Sequence, residues 1–221
     1  MLIIFDLDDT LIDTSGCITP VKLEHALSKM VSVGLHVGSY EQSLETLKRL
    51  DTATLSAAET LEEFIELIDA DKKFLDIGIQ EVYGEIPSDI SIFPLDQVCE
   101  ILQELSEFHQ LAMVSKGKSE QQLYKLKSAG IDSAIFSKII LSEEDDKKPY
   151  YQMILEELGF APKQTLVCGD RVKRDLMPAK ELGCFTVQMQ WGRGLAEVAK
   201  PKEVDFVIKK MGQIKEVIER L

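Results

Sequence analysis

The chain has 221 residues, of which 45% are hydrophobic and 29% are charged, as in globular proteins large enough to bury a core. Its net charge of −13 argues against nucleic acid or an anionic membrane surface as a partner, because both would repel it. No apolar run approaches the roughly 20 residues that span a bilayer, and the first residues lack a secretory signal pattern, so we expect a cytoplasmic protein.

The first predicted element is a short buried strand, Leu2–Phe5, that ends in a group of carboxylates. Asp6, Asp8 and Asp9 follow it directly. Side chains two positions apart along a strand share a face, so Asp6 and Asp8 should converge on one side. Carboxylates held together repel each other, and this repulsion calls for a cation or a shared proton nearby.

The next part of the chain is predicted to be helical. Residues 15–89 contain helical patterns at 21–33, 40–50 and 57–68 and no convincing strand. Because this segment directly follows the acidic loop, we expect a small all-helical cap domain that lies over the site as a lid. The predicted core domain then consists of residues 1–14 and 90–221.

The remainder of the chain alternates predicted strands and helices. Strands are expected at 111–114, 134–141, 165–168, 185–189 and 206–208, and helices at 95–108, 119–129, 150–158 and 176–182. The alternation predicts an α/β fold, a Rossmann-like three-layer core with a mostly parallel sheet between helices. Ligands of such sheets bind beyond the carboxyl ends of the strands.

Polar residues of a particular kind follow four of the predicted strands. After the acidic group at the first strand come Ser115, Lys116 and Gly117, then Lys147-Lys148-Pro149, and finally a segment from Gly169 that contains Asp170 and Asp175. Because the carboxyl ends of parallel strands share one edge of a sheet, we expect the four groups to meet there.

These four groups, in this order, resemble the motifs of the haloacid dehalogenase-like (HAD) hydrolase superfamily. The segment Asp6 to Thr10 matches its DxDxT motif, Ser115 its second motif, Lys148-Pro149 its lysine motif, and Gly169 to Asp175 its GDxxxxD motif. The helical insert lies where members with a helical cap carry it. The resemblance implies a phosphatase of this superfamily.

The resemblance also implies a role for each matching residue. Asp6 would be the nucleophile that forms an aspartyl phosphate, and Asp8 the general acid and base. Ser115 and Lys148 would hold the phosphoryl oxygens, with Lys148 preferred to Lys147 because it directly precedes Pro149. Further candidate phosphate contacts are Asp9, Lys116 and Gly117, although a helix-cap or loop role for Asp9 stays open.

The expected cofactor is Mg²⁺. Asp6, Asp170 and Asp175 offer hard oxygen ligands without a His or Cys partner, the donor set that favours this ion. The resemblance also implies that the backbone carbonyl of Asp8 faces the metal. Asp170 is expected to bind it directly, and Asp175 directly or through water.

The predicted function is Mg²⁺-dependent hydrolysis of a small phosphorylated metabolite. Asp8 favours this reaction over dehalogenation, which needs no acid two residues after the nucleophile. A sugar phosphomutase on the same core and a non-catalytic protein that binds phosphorylated ligands stay open as alternatives. Phosphonate cleavage would need an activated cap lysine, and the sequence marks none. We expect a monomer or a homodimer.

Overall fold

The computed structural model describes all 221 residues, which divide into two compact units. The first unit consists of Met1–Asp13 and Ile92–Leu221, and the second of Thr14–Ser91. None of the helices combines the length and the apolar character that crossing a membrane requires.

Six strands and nine α-helices form the regular structure of the chain. The strands are β1 (Leu2–Phe5), β2 (Gln110–Lys116), β3 (Phe136–Ser142), β4 (Thr165–Gly169), β5 (Phe185–Met189) and β6 (Phe206–Ile208). The helices are α1 (Thr19–Ser32), α2 (Tyr40–Asp51), α3 (Ala57–Leu67), α4 (Lys73–Val82), α5 (Val98–Ser106), α6 (Ser119–Ser128), α7 (Lys148–Leu158), α8 (Met177–Glu181) and α9 (Ile214–Ile218). Two π-helical turns, Thr14–Ile18 and Val172–Leu176, precede α1 and α8.

The first unit is built on one parallel sheet with the strand order β3-β2-β1-β4-β5-β6. β1 lies between β2 and β4, where Ile4 is paired with Ala112 and Val167. All four residues of β1 are buried, as in a strand with both faces covered. The strand order reverses between β1 and β4, and the carboxyl ends of the strands at such a point form the usual ligand crevice.

The strand and helix ends follow local sequence signals. β3 begins at Phe136, two residues later than predicted, because Ser133–Ile135 forms a 3₁₀ turn. The Asp132 side chain caps this turn by accepting a hydrogen bond from the Ala134 N–H at 2.9 Å. α7 ends at Leu158, and the next residue, Gly159, has a φ of +72°, a backbone conformation that glycine adopts without strain.

The second unit is entirely helical and has its own hydrophobic core. Leu27, Met30, Leu61 and Phe64 are fully buried in it, together with other apolar residues of α1 to α4. Ser39 and Ser56 cap α2 and α3 by accepting hydrogen bonds from backbone N–H groups. The sequence did not predict α4.

The predicted α/β fold with a parallel sheet is confirmed. All six predicted strands are present, and the predicted helices at 119–129 and 150–158 correspond to α6 and α7. The helix predicted at 176–182 is shorter, because a π-helical turn occupies Val172–Leu176 and α8 begins only at Met177.

Candidate active site

Three buried carboxylates meet beyond the carboxyl ends of β1 and β4. Asp6 extends β1 by one residue, since its N–H donates to the Cys168 carbonyl at 2.9 Å. Asp170 follows β4, and Asp175 lies in the π-helical turn before α8. One carboxylate oxygen from each of Asp6, Asp170 and Asp175 lies within 4.8 Å of the other two.

The close approach of Asp175 depends on its local backbone. Its Oδ2 accepts a hydrogen bond from the Arg171 N–H at 3.0 Å, which folds the turn back onto the end of β4. A Cβ atom on Gly169 would lie 2.6 Å from the Asp175 Cβ. Glycine at this position therefore leaves the space that Asp175 occupies.

The lysine of this site is Lys147, so the preference for Lys148 over Lys147 is wrong. Lys147 Nζ donates to Asp6 Oδ1 at 2.6 Å and to the Val114 carbonyl at 3.0 Å. It also forms an ion pair with Asp175 Oδ1 at 2.7 Å. Lys148 is the first residue of α7, and its half-exposed side chain pairs with Glu181 at 2.7 Å.

Burial and mutual repulsion dominate the electrostatics of the carboxylates. Burial raises the pKa of Asp6 from 3.8 to about 7; Lys147 opposes the rise, and Asp175 adds to it. Burial, reinforced by the charges of Asp175 and Asp6, raises the pKa of Asp170 well above its usual range. Burial would lower the pKa of Lys147, but Asp175 and Asp6 outweigh it, so this pKa is raised well above its ordinary value.

The three carboxylates suit a hard divalent cation. Their donor set consists of oxygen atoms only, which Mg²⁺ prefers. When all three are ionised they carry three negative charges, and the buried Lys147 balances one of them. The remaining two charges match a divalent ion, which would also relieve the repulsion that raises the pKa of Asp170.

Asp8 and Ser115 lie in one hydrogen-bonded group with two residues that the sequence did not predict. Gln122 Nε2 lies 2.9 Å from Asp8 Oδ2 and 2.7 Å from Ser115 Oγ. Lys125 Nζ donates to Asp8 Oδ1 at 2.8 Å. The two residues are three positions apart on α6 and therefore share a face of the helix.

The structure places the other candidate phosphate contacts in different surroundings. Lys116 Nζ pairs with the exposed Asp145 at 2.6 Å, and the Gly117 N–H donates to the Ser142 carbonyl at 2.8 Å. Asp9 has a φ of +55°, and its Oδ2 accepts a hydrogen bond from the Arg193 N–H at 3.4 Å. A loop role for Asp9 fits this contact, while phosphate contact by any of the three stays a prediction.

The loop after β5 packs against the loop after β1. Trp191 Nε1 donates to Asp13 Oδ1 at 2.8 Å, and Arg193 reaches Asp9 through its backbone. A Cβ atom on Gly192 would overlap the Asp9 carboxylate, so this glycine permits the close approach of the two loops. No sequence pattern predicted this contact.

Comparison with known families agrees with this geometry. The sequence profile of the haloacid dehalogenase-like hydrolases matches residues 3–189. The chain belongs to this family. The HAD resemblance that its motifs carry is thereby confirmed, as is the prediction of a phosphatase of this kind.

Relatives of this HAD chain include proteins that are named as phosphatases. A glyceraldehyde 3-phosphate phosphatase of Methanocaldococcus jannaschii is 27% identical over 99% of the chain and 97% of its own length. The glyceraldehyde 3-phosphate phosphatase of Pyrococcus furiosus is 26% identical, over 99% and 93%. The pyrophosphatase PpaX of Bacillus velezensis is 25% identical, over 96% and 93%.

Solved structures share the fold of this HAD chain. A predicted phosphoglycolate phosphatase from Haemophilus somnus superimposes with a TM-score of 0.71 at 20% identity, covering 98% of this chain and 97% of the other. A HAD phosphatase from Thermococcus onnurineus gives a TM-score of 0.64 at 18% identity, with the same coverage.

Proposed function

We propose that the protein is a Mg²⁺-dependent phosphomonoester hydrolase that acts on a small phosphorylated metabolite through an aspartyl phosphate on Asp6. The observation that carries this proposal is the surroundings of Asp6. Its carboxylate lies between the ammonium group of Lys147 and the carboxylates of Asp170 and Asp175. One oxygen is held by Lys147, and a second carboxyl group, Asp8, follows two residues later.

The proposed reaction has two steps. In the first, a carboxylate oxygen of Asp6 attacks phosphorus, the bond from phosphorus to the ester oxygen breaks, and Asp8 gives a proton to the departing alkoxide. In the second, Asp8 removes a proton from water, which attacks the same phosphorus and releases phosphate and the free Asp6 carboxylate. Lys147 holds Asp6 during both steps, and the Ser115 hydroxyl donates to a phosphoryl oxygen.

Asp6, Asp170 and Asp175 would hold the metal, together with the carbonyl of Asp8. When bound, a divalent cation lets an anionic nucleophile approach an anionic phosphate by lowering their repulsion. The cofactor assignment rests on the oxygen-only donor set and on the two uncompensated charges described above.

The relatives point to the first substrates to test. Several are named glyceraldehyde 3-phosphate phosphatases, so we propose three-carbon phosphate esters as the leading substrate class. The helical unit would supply the contacts that select among such esters. Its action as a lid stays a prediction.

The proposal is tested by measuring phosphate release from glyceraldehyde 3-phosphate and from 4-nitrophenyl phosphate. We expect turnover of both with Mg²⁺ and its loss when EDTA removes the metal. Asp6→Asn keeps the shape of the side chain but removes the nucleophile, so it should lower kcat by about 10³-fold or more. Equal activity of Asp6→Asn and the unaltered protein would disprove the proposal.

A further inference from the structure

Two residues of α6, Gln122 and Lys125, hold both carboxylate oxygens of Asp8. Gln122 Nε2 lies 2.9 Å from Oδ2, and Lys125 Nζ lies 2.8 Å from Oδ1. Gln122 is only 1% exposed, and the Lys125 side chain is 13% exposed. The carboxylate of Asp8 is therefore fixed from one side by groups that water reaches poorly.

Gln122 also joins Asp8 to Ser115. Its Nε2 carries two hydrogens and faces three oxygens, namely Asp8 Oδ2, Ser115 Oγ at 2.7 Å and the Lys116 carbonyl at 2.9 Å. Because the Ser115 hydroxyl oxygen accepts from Gln122, its own hydrogen stays available for another acceptor. That acceptor can be a phosphoryl oxygen.

The backbone before α6 is shaped to admit this glutamine. Gly117 has a φ of +145°, and a Cβ atom there would lie 3.0 Å from Gln122 Cδ. A side chain at position 117 would therefore strain the backbone and press on the amide that reaches Asp8 and Ser115.

We propose that Gln122 and Lys125 are positioning residues that keep the proton donor Asp8 and the phosphate-binding Ser115 at a fixed spacing beside Asp6. This inference rests on the proposed phosphatase function. Lys125 contacts Asp8, whereas Gln122 contacts both Asp8 and Ser115. Loss of Lys125 should therefore impair mainly proton donation by Asp8, whereas loss of Gln122 should impair both proton donation and phosphate binding.

The difference follows from the leaving group. An alkoxide needs a proton from Asp8 as it departs, whereas a nitrophenolate departs without one. The constant kcat/KM reports the steps up to cleavage of the ester bond, so it does not include the later use of Asp8 as a base. Comparing kcat/KM for an alkyl and an aryl phosphate therefore isolates the proton-donor role.

The test measures kcat/KM of Lys125→Met with glycerol 3-phosphate and with 4-nitrophenyl phosphate. We expect a fall of about 10²-fold for the alkyl ester and of less than about tenfold for the aryl ester. Lys125→Arg keeps a cationic donor and should restore most of the activity on the alkyl ester. Gln122→Leu should lower both constants, because it also releases Ser115.

Lys127→Met is the matched control, since Lys127 is exposed on the same helix and its loss changes the net charge equally. It should leave both constants unchanged. Thermal unfolding of each variant shows whether it is folded; if Lys125→Met is not, Lys125→Gln takes its place.

Equal losses on the two esters in a folded Lys125 variant, or no loss on either, would overturn the inference. The unaltered protein and Asp6→Asn are measured alongside. Turnover that depends on Asp6 but lacks the ester selectivity disproves only the positioning role. Absence of Asp6-dependent turnover disproves the proposed function and this inference with it.

Discussion

Lys147 and Lys148 show how two neighbouring, chemically identical side chains acquire opposite surroundings. Lys147 lies just before α7 and points into the protein, where it is 2% exposed and meets two carboxylates. Lys148 opens the helix and points outward to Glu181. The direction of each side chain depends on where the helix begins, because successive helical residues face different sides.

A pair of variants distinguishes these two lysines. Lys147→Met leaves Asp6 and Asp175 without their buried counter-charge, so we expect kcat to fall by about 10²- to 10³-fold. Without Mg²⁺ the free energy of unfolding should also fall, by about 3–5 kcal/mol. Steady-state kinetics and urea unfolding measure the two effects.

Lys148→Met is the control for this prediction. It removes only an ion pair whose side chains are 38% and 56% exposed, and such pairs contribute about 0–1 kcal/mol. We expect nearly unchanged kcat and stability. A larger loss of activity in Lys148→Met than in Lys147→Met would contradict the assignment of the site lysine.

The sequence predicted the carboxylates of the site but not Gln122 and Lys125, the two residues that contact Asp8. Asp6, Asp170 and Asp175 could be placed together because each follows a strand of one parallel sheet. Gln122 and Lys125 lie within a helix, where apolar spacing indicates the buried face but not which polar side chain extends past it. Only the register of α6 against β2 brings Gln122 to Ser115.

The predictability of the elements varied with their sequence signals. β1, β5 and β6 were predicted with their observed bounds because short apolar runs end at polar residues. The π-helical turn Val172–Leu176 could not be predicted, since it forms as Asp175 folds back onto the Arg171 N–H. Such a turn depends on a tertiary requirement and not on helix propensity.

A substitution at Gly192 tests the contact between the loop after β5 and the loop after β1. In Gly192→Ala the new methyl group would overlap the Asp9 carboxylate, and φ is +49°. Overpacking should cost about 1–3 kcal/mol beyond the cost of the left-handed backbone. We also expect a lower kcat, because Asp9 adjoins Asp8.

Gly159→Ala is the matched control for Gly192→Ala. Gly159 has a φ of +72°, but nothing lies within 4 Å of the position of its Cβ. The variant should lose about 1–2 kcal/mol from backbone strain alone and keep its kcat. Equal destabilisation of the two variants in urea would show that the Asp9 contact contributes nothing.

β5 and the start of β6 are linked through Asp205. Its Oδ2 accepts hydrogen bonds from the N–H and the hydroxyl of Thr186, and Oδ1 accepts one from Lys180 at 2.9 Å. Burial opposes ionisation of Asp205, but the hydrogen bonds from Lys180 and Thr186 outweigh it and lower the pKa below 3.8.

This lowered pKa predicts how stability depends on pH. A carboxylate with a depressed folded-state pKa stabilises the protein above its unfolded-state pKa of 3.8, and this contribution disappears as the pH falls through the folded value. Asp205→Asn should therefore cost about 1 kcal/mol near neutral pH and progressively less below 3.8. Urea unfolding at several pH values measures this difference; a constant difference would contradict it.

The two units have separate hydrophobic cores, so a substitution in the core of one unit should mainly lower the stability of that unit. Phe64 is fully buried in the helical unit. Phe64→Ala should lower the stability of that unit by about 3–5 kcal/mol through the cavity it leaves. Hydrogen exchange should then accelerate in α1 to α4 and much less in β1, β2 and β4. Uniform acceleration in both units would show that they unfold together.

The central place of β1 in the sheet has a consequence for biosynthesis. Leu2–Phe5 is synthesised before both of its partner strands, Gln110–Lys116 and Thr165–Gly169. The helical segment Thr14–Ser91 is synthesised before either partner strand, so it can begin to fold while translation continues. Until Gln110–Lys116 has been synthesised, the nascent chain thus carries β1 as an unpaired, fully apolar segment, which is prone to aggregation and offers a binding site for chaperones.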